Sequence, residues 1–107
     1  MNYDVIANET VKAAFVAWNN RDRTSFLKLL SENTKFVHNG EEEGIINFSD
    51  HFFFGSLNAV FTEIHRIENN GQMVFATLAS ETTGTVEVLM RFEVADGTIR
   101  TLNAGRP

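Results

Sequence analysis

The chain contains no cysteine. That excludes a disulfide framework, a thiolate nucleophile and a zinc–thiolate site. Its one proline is Pro107, so no helix or strand is interrupted by a residue that lacks a backbone N–H. Tryptophan and tyrosine occur once each. Positive charge is scarce: nine Lys and Arg stand against fourteen Asp and Glu, a formal charge of −5. No basic stripe exists to neutralise phosphates, so a nucleic-acid partner is not expected. No segment approaches the ~20 apolar residues that cross a bilayer, and the opening residues do not read as a signal peptide. No membrane partner is expected, and a cytoplasmic location is.

What is present is a chain of 107 residues, expected to form a single domain over 1–107. Hydrophobic residues make up 43%, which predicts a packed core rather than disorder. Phenylalanine is abundant, with ten copies. Phe fills volume without a polar group that needs a partner. So many rings in so short a chain point to a wide interior, an apolar cavity or an apolar interface.

No linker, repeat or low-complexity stretch interrupts the chain. Val11, Ala14, Phe15 and Trp18 share one helical face, predicting a helix over about 4–18. Asp4 suits its N-cap, and Asn19-Asn20 suit a left-handed stop. Asp22 or Thr24 can cap a second helix carrying Phe26, Leu29 and Leu30 and ending near 31–33. Residues 34–38 alternate as a short strand, and Glu41-Glu42-Glu43 reads as a solvated loop closed by Gly44. Ile45, Phe48 and Phe52 predict a third helix over about 45–53. Strands are expected over 57–68, 72–81, 85–95 and 98–103. Asn69-Asn70-Gly71, Thr83-Gly84 and Asp96-Gly97 separate them as hairpin turns. The order α-α-β-α-β-β-β-β predicts an α+β fold with helices packed on one face of a curved antiparallel sheet.

With that order the chain resembles the NTF2-like superfamily, and within it the SnoaL-like group. The resemblance lies in Ala17-Trp18-Asn19 followed by Asp22, in the helix Phe26-Leu27-x-Leu29-Leu30, and in Phe36-Val37-His38-Asn39-Gly40. Gly44-Ile45-Ile46 with Phe48, and the hairpin from Phe92 to Ile99, complete the set. The resemblance implies a cone-like curved antiparallel sheet (the cystatin-like arrangement) packed against about three N-terminal helices. It also implies a pocket between sheet and helices, and a homodimer through the outer sheet face. It does not imply one activity, since the superfamily includes cyclases, isomerases, epoxide hydrolases, dehydratases and transport factors.

Three histidines and several acids are the chemical candidates. Thr34, Phe36 and His38 share a strand face, so His38 points inward if Phe36 does. An imidazole in an apolar cavity can act as general acid or base. Asp50 and His51 are adjacent in the third helix, but consecutive helical side chains diverge by about 100°, so a local cap and a rim position suit them better. Along 57–68, Glu63 and His65 alternate with Ala59, Phe61 and Ile67. If Phe61 faces the cavity they form a carboxylate–imidazole pair there; otherwise they belong to a sheet face that meets a partner. Val86, Val88, Met90, Phe92 and Val94 form the apolar face of another strand.

A ligand pocket is therefore expected to draw Phe15 and Trp18 from the first helix and Phe36 from the first strand. Phe48 and Phe52 would come from the third helix, and Phe61, Met90 and Phe92 from the sheet. No H-E-x-x-H, EF-hand, phosphate-loop or G-x-S-x-G spacing occurs, so no metal and no cofactor is expected. The tyrosine that steroid isomerases of the superfamily place on helix one has no counterpart: Phe15 and Trp18 occupy that face, and Tyr3 precedes it. The aspartate-arginine-aspartate set of the epoxide hydrolases is also missing. The leading expectation is a dimer that holds a small apolar molecule without assigned catalysis. The alternative is a cyclase-, isomerase- or dehydratase-type enzyme using His38 with Glu63 or His65. A purely structural dimer, its cone filled by its own rings, is a third.

Overall fold

The computed structural model describes all 107 residues. A short 3-10 turn at Tyr3–Val5 leads into helices α1 (Glu9–Asn19), α2 (Arg23–Leu27) and α3 (Ile45–Phe52). The strands are β1 (Leu30–His38), β2 (Glu41–Glu43), β3 (Val60–Glu68), β4 (Met73–Ser80), β5 (Gly84–Ala95) and β6 (Thr98–Gly105). They form one six-stranded sheet in the order β2-β1-β6-β5-β4-β3. Every pair is antiparallel except β1–β6, which is parallel. Three helices on one face of a curved sheet is the α+β architecture expected from the element order. No helix is long and apolar enough to cross a membrane.

The first helix begins later than its apolar spacing predicts. Asn8 is the N-cap: its Oδ1 accepts from the backbone N–H groups of Thr10 and Val11, at 3.0 and 3.1 Å. Asp4 lies in the 3-10 turn instead, where its carboxylate accepts a 2.8 Å hydrogen bond from Lys12 Nζ. The intervening chain is extended and buries Ile6, which a continuous helix would not place there.

The helix ends in a Schellman motif. Asp22 N–H donates to Ala17 C=O at 2.9 Å and Arg21 N–H to Trp18 C=O at 3.2 Å. The left-handed residue is Arg21 (φ 57°), not either asparagine. Its conformation costs about 1–2 kcal/mol for a side-chain-bearing residue. The guanidinium offsets part of this by donating to Trp18 C=O and to Ala59 C=O.

Asn19 is thereby left for another task. Its Nδ2 donates to Phe61 C=O at 2.9 Å, and its Oδ1 accepts from Phe61 N–H at 2.8 Å. A side-chain amide thus pairs with the peptide of β3 as a neighbouring strand would. Since β3 is the sheet edge, Asn19 and Arg21 cover unpaired backbone groups that would otherwise invite a foreign strand.

Asp22 caps α2 as expected, accepting from Ser25 N–H at 3.1 Å. The helix stops at Leu27, however, and Leu30 already belongs to β1. Pairing with β6 overrides the helical spacing of Leu29 and Leu30: Leu29 C=O accepts from Ile99 N–H at 2.7 Å. Thr34 Oγ1 donates to Ile99 C=O at 2.7 Å within the irregular register that follows.

The core is built around Trp18. Its indole stacks on Phe53 (5.2 Å between centroids) and lies tilted against Phe26 and Phe61 at 5.0 and 5.7 Å. Phe15 meets it edge-on at 5.6 Å. The indole Nε1–H donates to Ser49 Oγ at 3.1 Å, and both residues are fully buried.

Helices α2 and α3 are joined by a two-point ion pair: Arg23 Nε–Asp50 Oδ1 at 2.7 Å and Arg23 Nη2–Asp50 Oδ2 at 3.2 Å. The Arg23 hydrogen bonds hold the Asp50 carboxyl below its usual range; slight burial opposes this and the guanidinium charge adds to it. A depressed carboxyl pKa contributes stability that is fully present above the unfolded value and is lost as pH falls through the folded one.

Two outcomes follow from these contacts. Asn19→Ala should destabilise the fold by about 1–3 kcal/mol in urea unfolding, because it strips both partners from the Phe61 peptide. Exposed Asn20→Ala should stay within about 0.5 kcal/mol; equal effects would refute the strand-mimic role. In a pH series, the urea midpoint of Arg23→Ala should lie below that of the parent by a constant margin above about pH 5, and the margin should close below about pH 4. A margin unchanged into strong acid would show that Asp50 is not the group involved.

Candidate functional site

A cavity of about 260 Å³ opens between α3 and the concave face of the sheet. Phe48 and Phe52 of α3 form one wall. Phe61 of β3, Leu78 of β4, and Val86, Val88 and Met90 of β5 form the other. The polar lining comes from His38, Asn39, Thr83 and Arg106. The β5 face that alternation predicts as apolar does face inward: Val86, Val88 and Met90 pair on the ladder with Leu78, Ala76 and Val74.

Four of the eight expected pocket residues line this cavity: Phe48, Phe52, Phe61 and Met90. Phe15, Trp18, Phe36 and Phe92 do not. They are at most 3% exposed and pack against one another and their neighbours beneath the cavity as solid core. Their large area is spent on ring-to-ring contact, so none is left for a ligand.

Glu63 and His65 are not brought to the cavity. Period-two alternation fails along β3 because two register shifts interrupt it, at Thr62 and at His65. Each inserts an extra residue, so Phe61, Ile64 and Ile67 face inward at a spacing of three, opposite Leu78, Ala76 and Val74. Glu63 pairs opposite Thr77 on the outer face. His65 lies there too, its Nε2 hydrogen-bonded to Thr77 Oγ1 and its Nδ1 4.0 Å from Glu63. Asp50 is engaged by Arg23, and His51 rests edge-on against Phe52 at 4.9 Å without lining the cavity.

His38 is at the cavity, and its geometry is specific. Asn39 (φ 50°) and Gly40 (φ 85°) make the two-residue turn that hairpins require, so residues 41–43 form a strand and not the expected loop. On that ladder His38 stands opposite Glu41, and Phe36 opposite Glu43. Glu43 is therefore the diagonal neighbour of His38 on the same face, within reach of its ring. The His38 Nδ1–Glu43 Oε2 distance is 2.7 Å. A carboxylate only accepts, so Nδ1 carries the proton and, in the neutral ring, Nε2 keeps its lone pair. Asn39 Nδ2 lies 3.3 Å from Nε2.

The imidazole is also fixed by rings: Phe36 lies nearly parallel to it at 6.1 Å, and Phe48 and Phe52 present edges at 5.0 and 6.1 Å. With 26% of its side chain exposed, it sits where the apolar cavity meets water. Glu43 is the residue that sequence reasoning missed. The dipeptide Asn39-Gly40 between the strand ending at His38 and the glutamates was the signal for it. No three His, Asp or Glu side chains converge to hold a metal anywhere in the fold.

No protein-family model and no curated protein matches the sequence. Solved structures do match in shape. A candidate polyketide cyclase from Sinorhizobium meliloti is 15% identical, with a TM-score of 0.77 over 97% of this chain and 99% of its own. A candidate ketosteroid isomerase from Kribbella flavida is 17% identical, with a TM-score of 0.75 over 96% of this chain and 82% of its own. An NTF2-like protein of unknown function from Cytophaga hutchinsonii is 16% identical, with a TM-score of 0.68 over 90% and 85%. At these identities the likeness concerns the fold and not the activity. The helices on one face of the sheet and the closing β3–β6 meander are thus those of the NTF2-like fold.

Proposed function

We propose that the protein binds a small, largely apolar molecule in this cavity, with its polar end against His38 and Asn39. The observation that carries the reading is the division of the lining. Apolar side chains from α3, β3, β4 and β5 form the walls, and the polar groups come from the end of β1 and its turn, the β4–β5 turn and the residues after β6. Ligand sites are commonly apolar surfaces with a few placed polar groups that set orientation. About 260 Å³ lies just below the ~300–1,000 Å³ of pockets for drug-sized molecules, which favours a ligand of one or two rings. Proteins of the same fold are named for polyketides and ketosteroids, which supports an oxygen-bearing carbon skeleton.

We also propose that two copies pair through the outer sheet face. Met73, Phe75 and Thr77 lie there opposite Arg91, Leu89 and Glu87. Sedimentation should give twice the 12.0 kDa chain mass; a single-chain mass would refute the pairing.

Binding can be tested with 2-naphthol, a two-ring phenol. The chain has three methionines, and Met90 is the one that lines the cavity. In a methyl-labelled sample the Met90 signal should shift saturably while those of Met1 and Met73 stay in place. Val86→Phe, which fills the cavity, should weaken binding at least about tenfold, as expected when contacts contributing about 1.4 kcal/mol or more are removed. An unmoved Met90, or full affinity in the filled variant, would overturn the cavity as the binding site.

A further inference from the structure

We propose that the cavity selects its ligand by charge: it takes a small aromatic or alicyclic monocarboxylate, with Arg106 as the counter-charge and Asn39 as a second donor. The proposal rests on the cavity being a ligand site, and it names the class of ligand that the site prefers.

Four side chains make the polar lining, and their free hydrogen-bonding groups differ. Thr83 Oγ1 is already paired with Ser80 Oγ at 2.7 Å. His38 Nδ1 is engaged by Glu43 at 2.7 Å, and its Nε2 faces Asn39 Nδ2 at 3.3 Å. A side-chain amide carries two N–H groups, so Asn39 keeps one for a ligand. Arg106 follows β6 in exposed chain and makes no ion pair. Its guanidinium presents five N–H donors in a planar fork that matches a carboxylate, and it stays charged at any ordinary pH. The groups on offer are therefore N–H donors and one positive charge. The ligand group that complements them accepts hydrogen bonds and carries negative charge.

The same residues disfavour other classes. No Asp or Glu lines the cavity, so an ammonium group finds no counter-charge there. Glu43 is held by His38 outside the lining, and Glu41 and Glu42 are exposed on the sheet edge. A phosphate or a dicarboxylate brings a second negative charge, and the lining holds no second Lys or Arg to meet it. That second charge would also face a chain of net charge −5 with three glutamates on β2. A neutral molecule fits the apolar walls but leaves the guanidinium unused. The ion pair forms at the end of the cavity that water reaches, since Arg106 is exposed, so neither charge has to be fully dehydrated. One carboxylate on one or two rings satisfies the apolar walls and the polar end together.

Three probes with the same two rings separate the classes: 2-naphthoate, 2-naphthol and 2-naphthylmethylammonium. Each is titrated into the methyl-labelled protein at neutral pH and low salt, with the Met90 signal as readout. 2-Naphthoate should bind about fivefold tighter than 2-naphthol, the upper range for a partly exposed ion pair, and the ammonium weakest. Raising the salt to about 0.5 M should narrow the gap between the first two. Arg106→Gln should weaken 2-naphthoate about fivefold and leave 2-naphthol within twofold. Arg106→Lys, which keeps the charge and loses the fork, should retain part of the preference. Lys28→Gln removes the same charge from an exposed site at the end of α2, away from the cavity, and should leave the preference intact.

2-Naphthol binding as tightly as 2-naphthoate overturns charge selection. So does an Arg106→Gln protein that weakens both probes equally, or a Lys28→Gln protein that loses the preference as fully as Arg106→Gln does. In each of these cases a saturable Met90 shift with 2-naphthol keeps the cavity as a binding site. If no probe moves Met90, the binding site and the ligand class fall together.

Discussion

The indole of Trp18 is the contact on which the rest of the fold depends. It is the meeting point of α1 with α2 through Phe26, with the end of α3 through Phe53, and with the sheet through Phe61 and Phe92. Such a ring is costly to bury unless its N–H finds an acceptor, at about 1–3 kcal/mol for an unsatisfied group. Ser49 Oγ supplies that acceptor from α3. One hydrogen bond therefore fixes the rotation of α3 about its axis. With Ser49 turned down to the indole, Phe48 and Phe52 line the cavity. The cavity wall is thus a consequence of where the tryptophan satisfies its donor.

The second constraint acts from the opposite side of the cavity. Strand β1 lies parallel to β6 and antiparallel to β2, so His38 is locked between Ala104 and Glu41. The turn beyond it is tight, and Gly105 on β6 passes close by: a Cβ there would lie 3.4 Å from Asn39 Oδ1. Little freedom remains for the hairpin to slide, and a slip by one residue would turn Glu43 to the other face. Register, a backbone property, is what sets the distance between imidazole and carboxylate. α3 and the β1–β2 hairpin thus approach the cavity from separate elements, one fixed by a buried indole and the other by strand pairing.

The sequence made the architecture legible where a single local rule governed the outcome. The apolar face of α1, the Asp22 cap, the spacing of Ile45, Phe48 and Phe52, and the Gly-containing turns between the sheet strands all act over a few residues, and all appear where expected. Failures came where long-range pairing competed with local preference. Leu29 and Leu30 suit a helix, but β6 claims the peptide between them. Asn8 displaced Asp4 as cap because Ile6 had to reach the core. In β3, alternation is a sound rule for a regular ladder, yet two bulges shift the pattern and carry His65 to the outer face. Three consecutive glutamates looked like a loop because charge suggests solvent; all three are exposed, but exposure and strand geometry are compatible at a sheet edge.

The ten phenylalanines show how the site follows from composition. Phe15, Phe26, Phe36, Phe53 and Phe92 are packed solid, so they close the narrow part of the cone. Phe54 leans on Phe26, and Phe75 lies on the outer face beneath Arg66, 4.0 Å from the guanidinium carbon. That leaves Phe48, Phe52 and Phe61 with a face each turned to the cavity. A cone filled entirely by its own rings would need those three to meet side chains across the opening. The residues they face are Val86, Val88 and Leu78, too short to span it. The void is therefore written into the choice of aliphatic over aromatic residues on β4 and β5. Its walls are apolar and its polar groups stand at the edge, so the His38 imidazole borders an apolar void on one side and water on the other. A carboxylate-paired imidazole beside an apolar void is the polar feature that the β1–β2 hairpin and α3 bring together.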